Sequence, residues 1–302
     1  MIAADRTAVE WAETVWQRRV REARTLPGGW TSTTLGLTAM DGERAVLRLM
    51  TREPWRSHAP DMLAREAAVQ RQLAPGSVPA PVSIALDPDG SRAGTPAHLM
   101  SWLPGTLDLD RADGALVDGL AALLLLIHHH DPGPDRPRAY QSWAHPAKRM
   151  VPTWSARPEL WERAFEELRG PVPAYTGTFL HRDFHLGNVL WVGGQVTGVV
   201  DWVETSWGPA GLDVAHAATY LAMLHGGDAA EMFVEAYRRR TDAALDGDGQ
   251  RHWNLMDIVG YLPDPSKVAQ PWRDVGRAVS DELARARLEQ RLAAVLQPPT
   301  AN

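Results

Sequence analysis

Residues 178–201 read TFLHRDFHLGNVLWVGGQVTGVVD. Asp183 and Asn188 stand five residues apart, an apolar run from Val189 to Val192 follows, and a second from Val196 to Val200 ends at Asp201. Between the runs lies Gly193-Gly194. Two glycines supply the positive φ that a two-residue hairpin demands, so the spacing predicts strand, turn and strand. In that register Val192 faces Gln195 and Asn188 faces Val199. Asp201 then lies diagonally across from Asn188, roughly 7–8 Å between Cα atoms. A carboxamide and a carboxylate at that spacing can share one small hard cation. Magnesium suits them best, because it takes oxygen ligands and is usually held by one or two protein groups plus substrate phosphates. Asp183 leads into the loop and is free to face an acceptor. A plain hairpin would not need His181, Asp183, His185, Asn188 and Asp201 together.

HRDFHLGNVL followed by GVVDW resembles the catalytic loop and metal-binding strand of the aminoglycoside phosphotransferase family, small-molecule relatives of protein kinases. Protein kinases carry His-Arg-Asp, four residues, then Asn, with a later Asp on magnesium. The resemblance implies an α+β, bilobal protein-kinase-like fold. A small nucleotide-binding lobe with an antiparallel sheet and a helix would span residues 1–101. A large, mostly α-helical lobe carrying catalysis and acceptor binding would span 102–302. By resemblance Asp183 is the catalytic base, and Asn188 and Asp201 are the Mg2+ ligands. His181 locks the loop, and His185 is either a second support or a packed histidine. Asp213, a natural helix N-cap in Gly211-Leu212-Asp213, also anchors the loop by resemblance. The reaction implied is transfer of the γ-phosphate of ATP or GTP to an alcohol.

Upstream, residues 5–24 place Val9, Ala12, Trp16 and Val20 on one stripe, which predicts an amphipathic helix ended by Pro27-Gly28-Gly29. Asp41-Gly42 then predicts a hairpin between strands 35–39 and 44–50. Residues 28–34, with Ser32 and Thr33, stand where a nucleotide-covering loop would. Val46, Arg48 and Met50 share a strand face. In the helix predicted over 61–74, Met62, Glu66, Val69 and Leu73 share a stripe, so Glu66 points with the buried face. A buried carboxylate is costly unless paired, and Arg48 is its obvious partner. The pair resembles the strand–helix ion pair that positions phosphates in kinases, with arginine in place of lysine. Another hairpin is predicted around Pro88-Asp89-Gly90. Residues 97–103 resemble the family's hinge, where main-chain groups of Met100, Trp102 and Leu103 would bond the purine.

A helix is predicted over 113–130. Consecutive residues on a helix point about 100° apart, so His128, His129 and His130 cannot converge on one ion. The pattern predicts His128 packed and hydrogen-bonded and the other two exposed. Residues 131–177, rich in Pro, Trp and Arg, stand where relatives build acceptor specificity, with helical pieces near 143–150 and 158–168. Helices near 214–224, 228–241 and 281–296 complete the large lobe. Arg182, Glu204 and Trp207 are candidates for the acceptor site; at position 182 the small-molecule family usually has Gly.

The chain has 302 residues, 44% hydrophobic and 23% charged, an ordinary globular composition. The apolar run from Leu120 to Ile127 is too short to cross a membrane. The first residues show no signal-peptide pattern. With no cysteine there are no disulfides or thiolate sites, which fits a cytoplasmic protein. Net charge −6 with scattered arginines argues against a nucleic-acid partner. The expected partners are a nucleoside triphosphate and a hydroxyl-bearing small molecule. An antibiotic or related natural product comes first and a metabolite such as choline, homoserine or a sugar second. Asp228, Glu231 and Glu235 share a helical face that could meet a cationic acceptor or simply solvent, and the tryptophans could line an apolar pocket or fill the core. A catalytically dead nucleotide-binding protein is the reading from another class, and the short segment after Asp201 disfavours a protein kinase.

Overall fold

A computed structural model describes residues 3–27, 32–241 and 247–297. The chain divides into two compact units: residues 1–106 with 190–192 and 197–204, and residues 107–189 with 193–196 and 205–302.

The first unit is built on five antiparallel strands in the order β1-β2-β3-β5-β4. They are β1 (Val20–Thr25), β2 (Thr33–Ala39), β3 (Arg44–Leu49), β4 (Ser83–Asp87) and β5 (Ala97–Ser101). Alternation along β3 sorts its side chains. Ala45, Leu47 and Leu49 are fully buried with Ala8, Trp11, Ala12 and Trp16 of helix α1 (Ala3–Trp16). Arg48 takes the other face, where Glu66 of helix α2 (Ala59–Leu73) meets it. Truncating a core side chain such as Leu47 to Ala would cost about 2–5 kcal/mol.

The first helix ends earlier than the stripe predicts. Gln17 takes φ +59°, and residues from Val20 onward pair with β2 instead. Backbone pairing at the sheet edge overrides a stripe whose last member, Val20, is only half-buried. Residues 28–31 of the expected nucleotide loop lie outside the described residues. The Asp41-Gly42 hairpin is present, with Gly42 at φ +92°. The hairpin at 88–90 joins β4 to β5.

The second unit is mostly helical. Its centre is α5 (Gly211–His225), buried from Gly211 to Leu224. A helix buried all round must be covered on all sides, and α6 (Gly227–Arg238), α7 (Gly247–Gly260) and α9 (Asp281–Leu296) pack on it. α3 (Gly114–His128) lies against α6 and opens on Asp113, whose carboxylate accepts from Ala115 N and Leu116 N. α4 (Pro158–Glu167) and α8 (Ser266–Asp274) complete the unit. The chain pattern predicts neither α7 nor α8. β6 (Gly177–Leu180) pairs antiparallel with β9 (Ser206–Pro209). Residues 190–192 and 197–199, of the first unit, belong to strands β7 (Val189–Val192) and β8 (Gln195–Val199), which form the hairpin read from the sequence, with Gly193 at φ +56° and Gly194 at φ +80°. Among the described residues no helix is long and apolar enough to cross a membrane.

Candidate active site

In the first unit one arginine organises a buried charge cluster. Arg48 Nη1 lies 3.1 Å from Glu66 Oε1 and donates to Asp201 Oδ1 at 3.1 Å. Glu66 is fully buried, and its Oε2 meets His98 Nδ1 at 3.1 Å. His98 Nε2 reaches Ser83 Oγ at 3.0 Å. Burial alone would raise the Glu66 pKa, but Arg48, His98 and the backbone N–H of Trp202 hold it below the usual carboxylate range. The Arg48 pKa is raised, because the charges of Asp201 and Glu66 outweigh burial. Arg48 Nε is buried and has no hydrogen-bond partner. Asp201 takes φ +67°, a left-handed conformation that non-glycine residues adopt at some cost.

In the second unit β6 delivers the chain to residues 181–188, at the N-terminal end of α5. Asp213 accepts from His181 N and Arg182 N, both at 2.8 Å. It thus lies inside the first turn of α5, and Ala210, not Asp213, is the N-cap residue. Asp213 serves the neighbouring loop through both of its carboxylate oxygens. Its Oδ2 also lies 3.3 Å from His128 Nε2, whose Nδ1 reaches Tyr237 Oη at 2.7 Å. His128 is therefore packed and bonded, and His129 is exposed. His130 is half-buried edge-on against Phe179, where exposure was expected; the ring supplies apolar cover that helix spacing alone does not reveal.

Around Asp183 the groups are dense. Its backbone N–H donates to His181 Nδ1 at 3.3 Å. Asn188 Nδ2 donates to Asp183 O at 2.9 Å and lies 3.3 Å from Oδ2. His216 Nε2 lies 3.2 Å from Asp183 Oδ1, and His216 Nδ1 lies 2.9 Å from Asp257 Oδ1. Burial would raise the Asp183 pKa, yet His185, the hydrogen bond from His216 and the charges of His216 and His181 pull it well below the carboxylate range. Burial would lower His216, but Asp257 and Asp183 push it up to about 9. His185 stacks flat on Tyr220 at 3.9 Å, and burial takes it down to about 3 against the pull of Asp183.

Sequence reasoning missed His98, His216 and Asp257. Each is an ionisable residue flanked by apolar neighbours (AHLM, VAHAA, LMDIV), which is the signal that could have found them.

The remaining candidates are placed as follows. Ser32 is buried, and Thr33 Oγ1 lies 3.0 Å from Thr51 Oγ1. Met100 is buried with its sulfur 3.5 Å from Gln70 Nε2, the Trp102 ring carries the Arg44 guanidinium at 3.5 Å, and Leu103 packs on Gly198. Arg182, a candidate for the acceptor site, is 2% exposed and stacks on Trp143 at 3.9 Å, with Nη2 donating to Gln141 O. It is turned into the protein because its flat guanidinium finds an aromatic face and a carbonyl there. Glu204 is half-buried. Trp207 sits in β9 with Arg136 over its ring at 4.4 Å. On α6, Glu231 pairs with Arg291 and Glu235 with Arg239, so two of the three carboxylates on this face have partners. Trp161, Trp202, Trp253 and Trp272 are core residues.

Two metal fits can be tested on these atoms. In the second unit Asn188 gives its Nδ2 to Asp183, so its Oδ1 is the atom left for a cation, and in the first unit the Asp201 carboxylate likewise offers oxygen, the donor type that suits magnesium. Asp183, His185 and His216 also bring ligand atoms within 4.8 Å of one another. They do not fit a metal. His185 Nδ1 accepts from Gly187 N, which puts its proton on Nε2, and His216 lies between two carboxylates that both accept. Neither ring has a lone pair to offer.

No curated protein matches the chain. Among solved structures, a thermostable variant of aminoglycoside phosphotransferase APH(4)-Ia in ternary complex with AMP-PNP and hygromycin B aligns at TM-score 0.68 and 19% identity, covering 95% of this chain and 98% of that one. A complex of the same protein with ADP and hygromycin B gives 0.67 at 18% identity, covering 96% and 99%. The gentamicin complex of APH(2″)-IIa gives 0.60 at 15% identity, covering 99% and 98%. These likenesses establish a protein-kinase-like fold. The model of the phosphotransferase enzyme family matches residues 22–247, a span that holds Arg48, Asp183, Asn188 and Asp201, and so the chain belongs to that family, as a kinase-type phosphotransferase acting on a small-molecule hydroxyl.

Proposed function

We propose that the chain transfers the γ-phosphoryl group of ATP or GTP to a hydroxyl of an antibiotic or related natural product. The observation that carries this reading is Asp183. Its carboxylate is kept ionised, is fixed by Asn188 and His216, and sits on a loop pinned by two hydrogen bonds to Asp213.

Little covalent work falls to the protein in phosphoryl transfer; positioning and charge do most of it. Asp183 orients the acceptor hydroxyl and takes its proton as the new O–P bond forms and the bond to the nucleoside diphosphate breaks. Arg48, held by Glu66 and with Nε unspent, contacts the inner phosphates. Asn188 Oδ1 and Asp201 would hold Mg2+, which when bound neutralises phosphate charge. Main-chain groups of Met100 to Leu103 would meet the purine. The neighbours' complexes with ADP, AMP-PNP, hygromycin B and gentamicin support a nucleotide donor and a natural-product acceptor.

One observation favours a second reading, a metabolite acceptor bearing an acidic group. The chain's only lysines, Lys148 and Lys267, both donate to Gly260 O, at 2.6 and 3.4 Å. The next residue, Tyr261, lies 3.4 Å from His216 Nδ1 through its hydroxyl. Burial and Lys148 bring Lys267 down to about 8 against the pull of Asp264, and a bound anion would favour its charged form.

The test is magnesium-dependent consumption of ATP and of GTP by the purified chain across a panel of aminoglycosides, macrolides, nucleosides, choline, homoserine and sugars. Transfer to a natural product that Asp183→Asn abolishes supports the first reading. Transfer confined to homoserine, the panel's acid-bearing metabolite, supports the second. A panel with no phosphorylated product rejects both.

A further inference from the structure

His216 is 4% exposed on α5, and Asp257 is 2% exposed on α7. Asp257 meets His216 through Oδ1, and its buried Oδ2 has no hydrogen-bond partner. A buried carboxylate with one partner is expensive and needs that partner charged. On the other side of the ring stands Asp183, again a carboxylate. Two carboxylates accept and cannot donate while ionised, so both ring nitrogens of His216 must carry protons. The ring is fixed in plane as well. Tyr261 lies parallel to it at 6.0 Å, and Trp143 meets it edge-on at 5.2 Å.

We propose that His216, held by Asp257, is a positioning residue that clamps Asp183 Oδ1 and so presents Oδ2 to the acceptor hydroxyl. This deepens the phosphotransferase reading and rests on Asp183 being its base. A ring with both nitrogens protonated has no site for a further proton. His216 therefore does not relay the acceptor's proton, which stays on Asp183. The clamp does two things. It fixes one carboxylate oxygen, leaving the other, which Asn188 Nδ2 approaches at 3.3 Å, to point at the reaction. It also puts a positive charge behind an anionic base that must tolerate an approaching triphosphate.

The test uses the full chain with labelled histidine nitrogens. At about pH 8, above the ordinary histidine range, wild type should show a ring protonated on both nitrogens. That signal should vanish in His216→Gln and become a neutral ring in Asp257→Asn. A neutral His216 in wild type overturns the proposal. The kinetic arm uses magnesium-ATP and whichever panel acceptor wild type phosphorylates. His216→Leu should lower kcat about 100-fold, the scale of a slightly misplaced group, with nucleotide KM unchanged. The double variant His216→Gln with Asp257→Asn rebuilds the clamp from neutral amides. The amide at 257 donates to the amide oxygen at 216, whose nitrogen donates to Asp183. It should recover at least tenfold over His216→Leu. Equal kcat in all variants, or losses that track melting temperature without recovery, overturns the clamp. Absence of any transfer by wild type would reject the phosphotransferase reading while the nitrogen signals still decide the state of His216.

Discussion

The Arg48 cluster and the Asp183 cluster solve the same problem with opposite signs. In the first unit one cation lies between two carboxylates, Glu66 and Asp201, with His98 behind Glu66. In the second, one carboxylate lies among His181, His185, His216 and Asn188, with Asp257 behind His216. Each places a further polar partner behind the first. The difference is what remains to be offered. Arg48 keeps a buried N–H with no partner, a donor for an anion. Asp183 is saturated with donors yet 31% exposed along its side chain, an acceptor for a proton. Under the proposed function the first would serve the phosphates and the second the acceptor hydroxyl.

Substitutions can break this contrast. Asp183→Asn removes the proton acceptor and keeps the shape; kcat should fall about 1,000-fold or more, as for loss of a general base, while nucleotide binding by titration calorimetry persists. Glu66→Ala strands Arg48 and His98, and denaturant unfolding should show a loss of about 3–4 kcal/mol, the scale for breaking a buried pair. Nucleotide KM should rise with it.

The pH dependence sharpens the contrast. His216 is raised from its ordinary value to about 9 in the folded chain. Its contribution is fully present below about pH 6.5 and is lost as pH rises through about 9. The size is at most about 3 kcal/mol at 1.36 kcal/mol per unit. Melting temperature should therefore fall between those pH values more in wild type than in His216→Gln. An equal slope would show that the ring is not charged.

Arg182→Gly should have the smallest effect. Arg182 takes φ +74°, which glycine adopts freely, but its guanidinium stacks on Trp143. Relief of backbone strain and loss of stacking oppose each other, and stability should change by about 1 kcal/mol or less. A larger loss would mean that the side chain, not the backbone, holds the loop.

Both clusters were partly legible in the chain. Glu66 was found because spacings of four, three and four put it on an apolar stripe, and Arg48 because it alternates with apolar neighbours. The Gly193-Gly194 hairpin followed from turn chemistry. His98 and His216 escaped because each sits singly in an apolar run, where spacing says that it is buried but not what it faces. The helix expected over 5–24 lost its last turns to β1, a pairing that no local pattern encodes.

The sequence by itself determined the reactive inventory. Asp183, Asn188 and Asp201 stand at fixed separations along one short stretch, and local geometry fixes how a loop and a hairpin carry them. Only the tertiary structure decided the partners. Asp257 reaches Asp183 through a ring on another helix, and Asp201 reaches Glu66 through an arginine 153 residues earlier. Such pairings depend on which buried faces pack together, and burial makes each charge choose a neighbour that is distant in the chain.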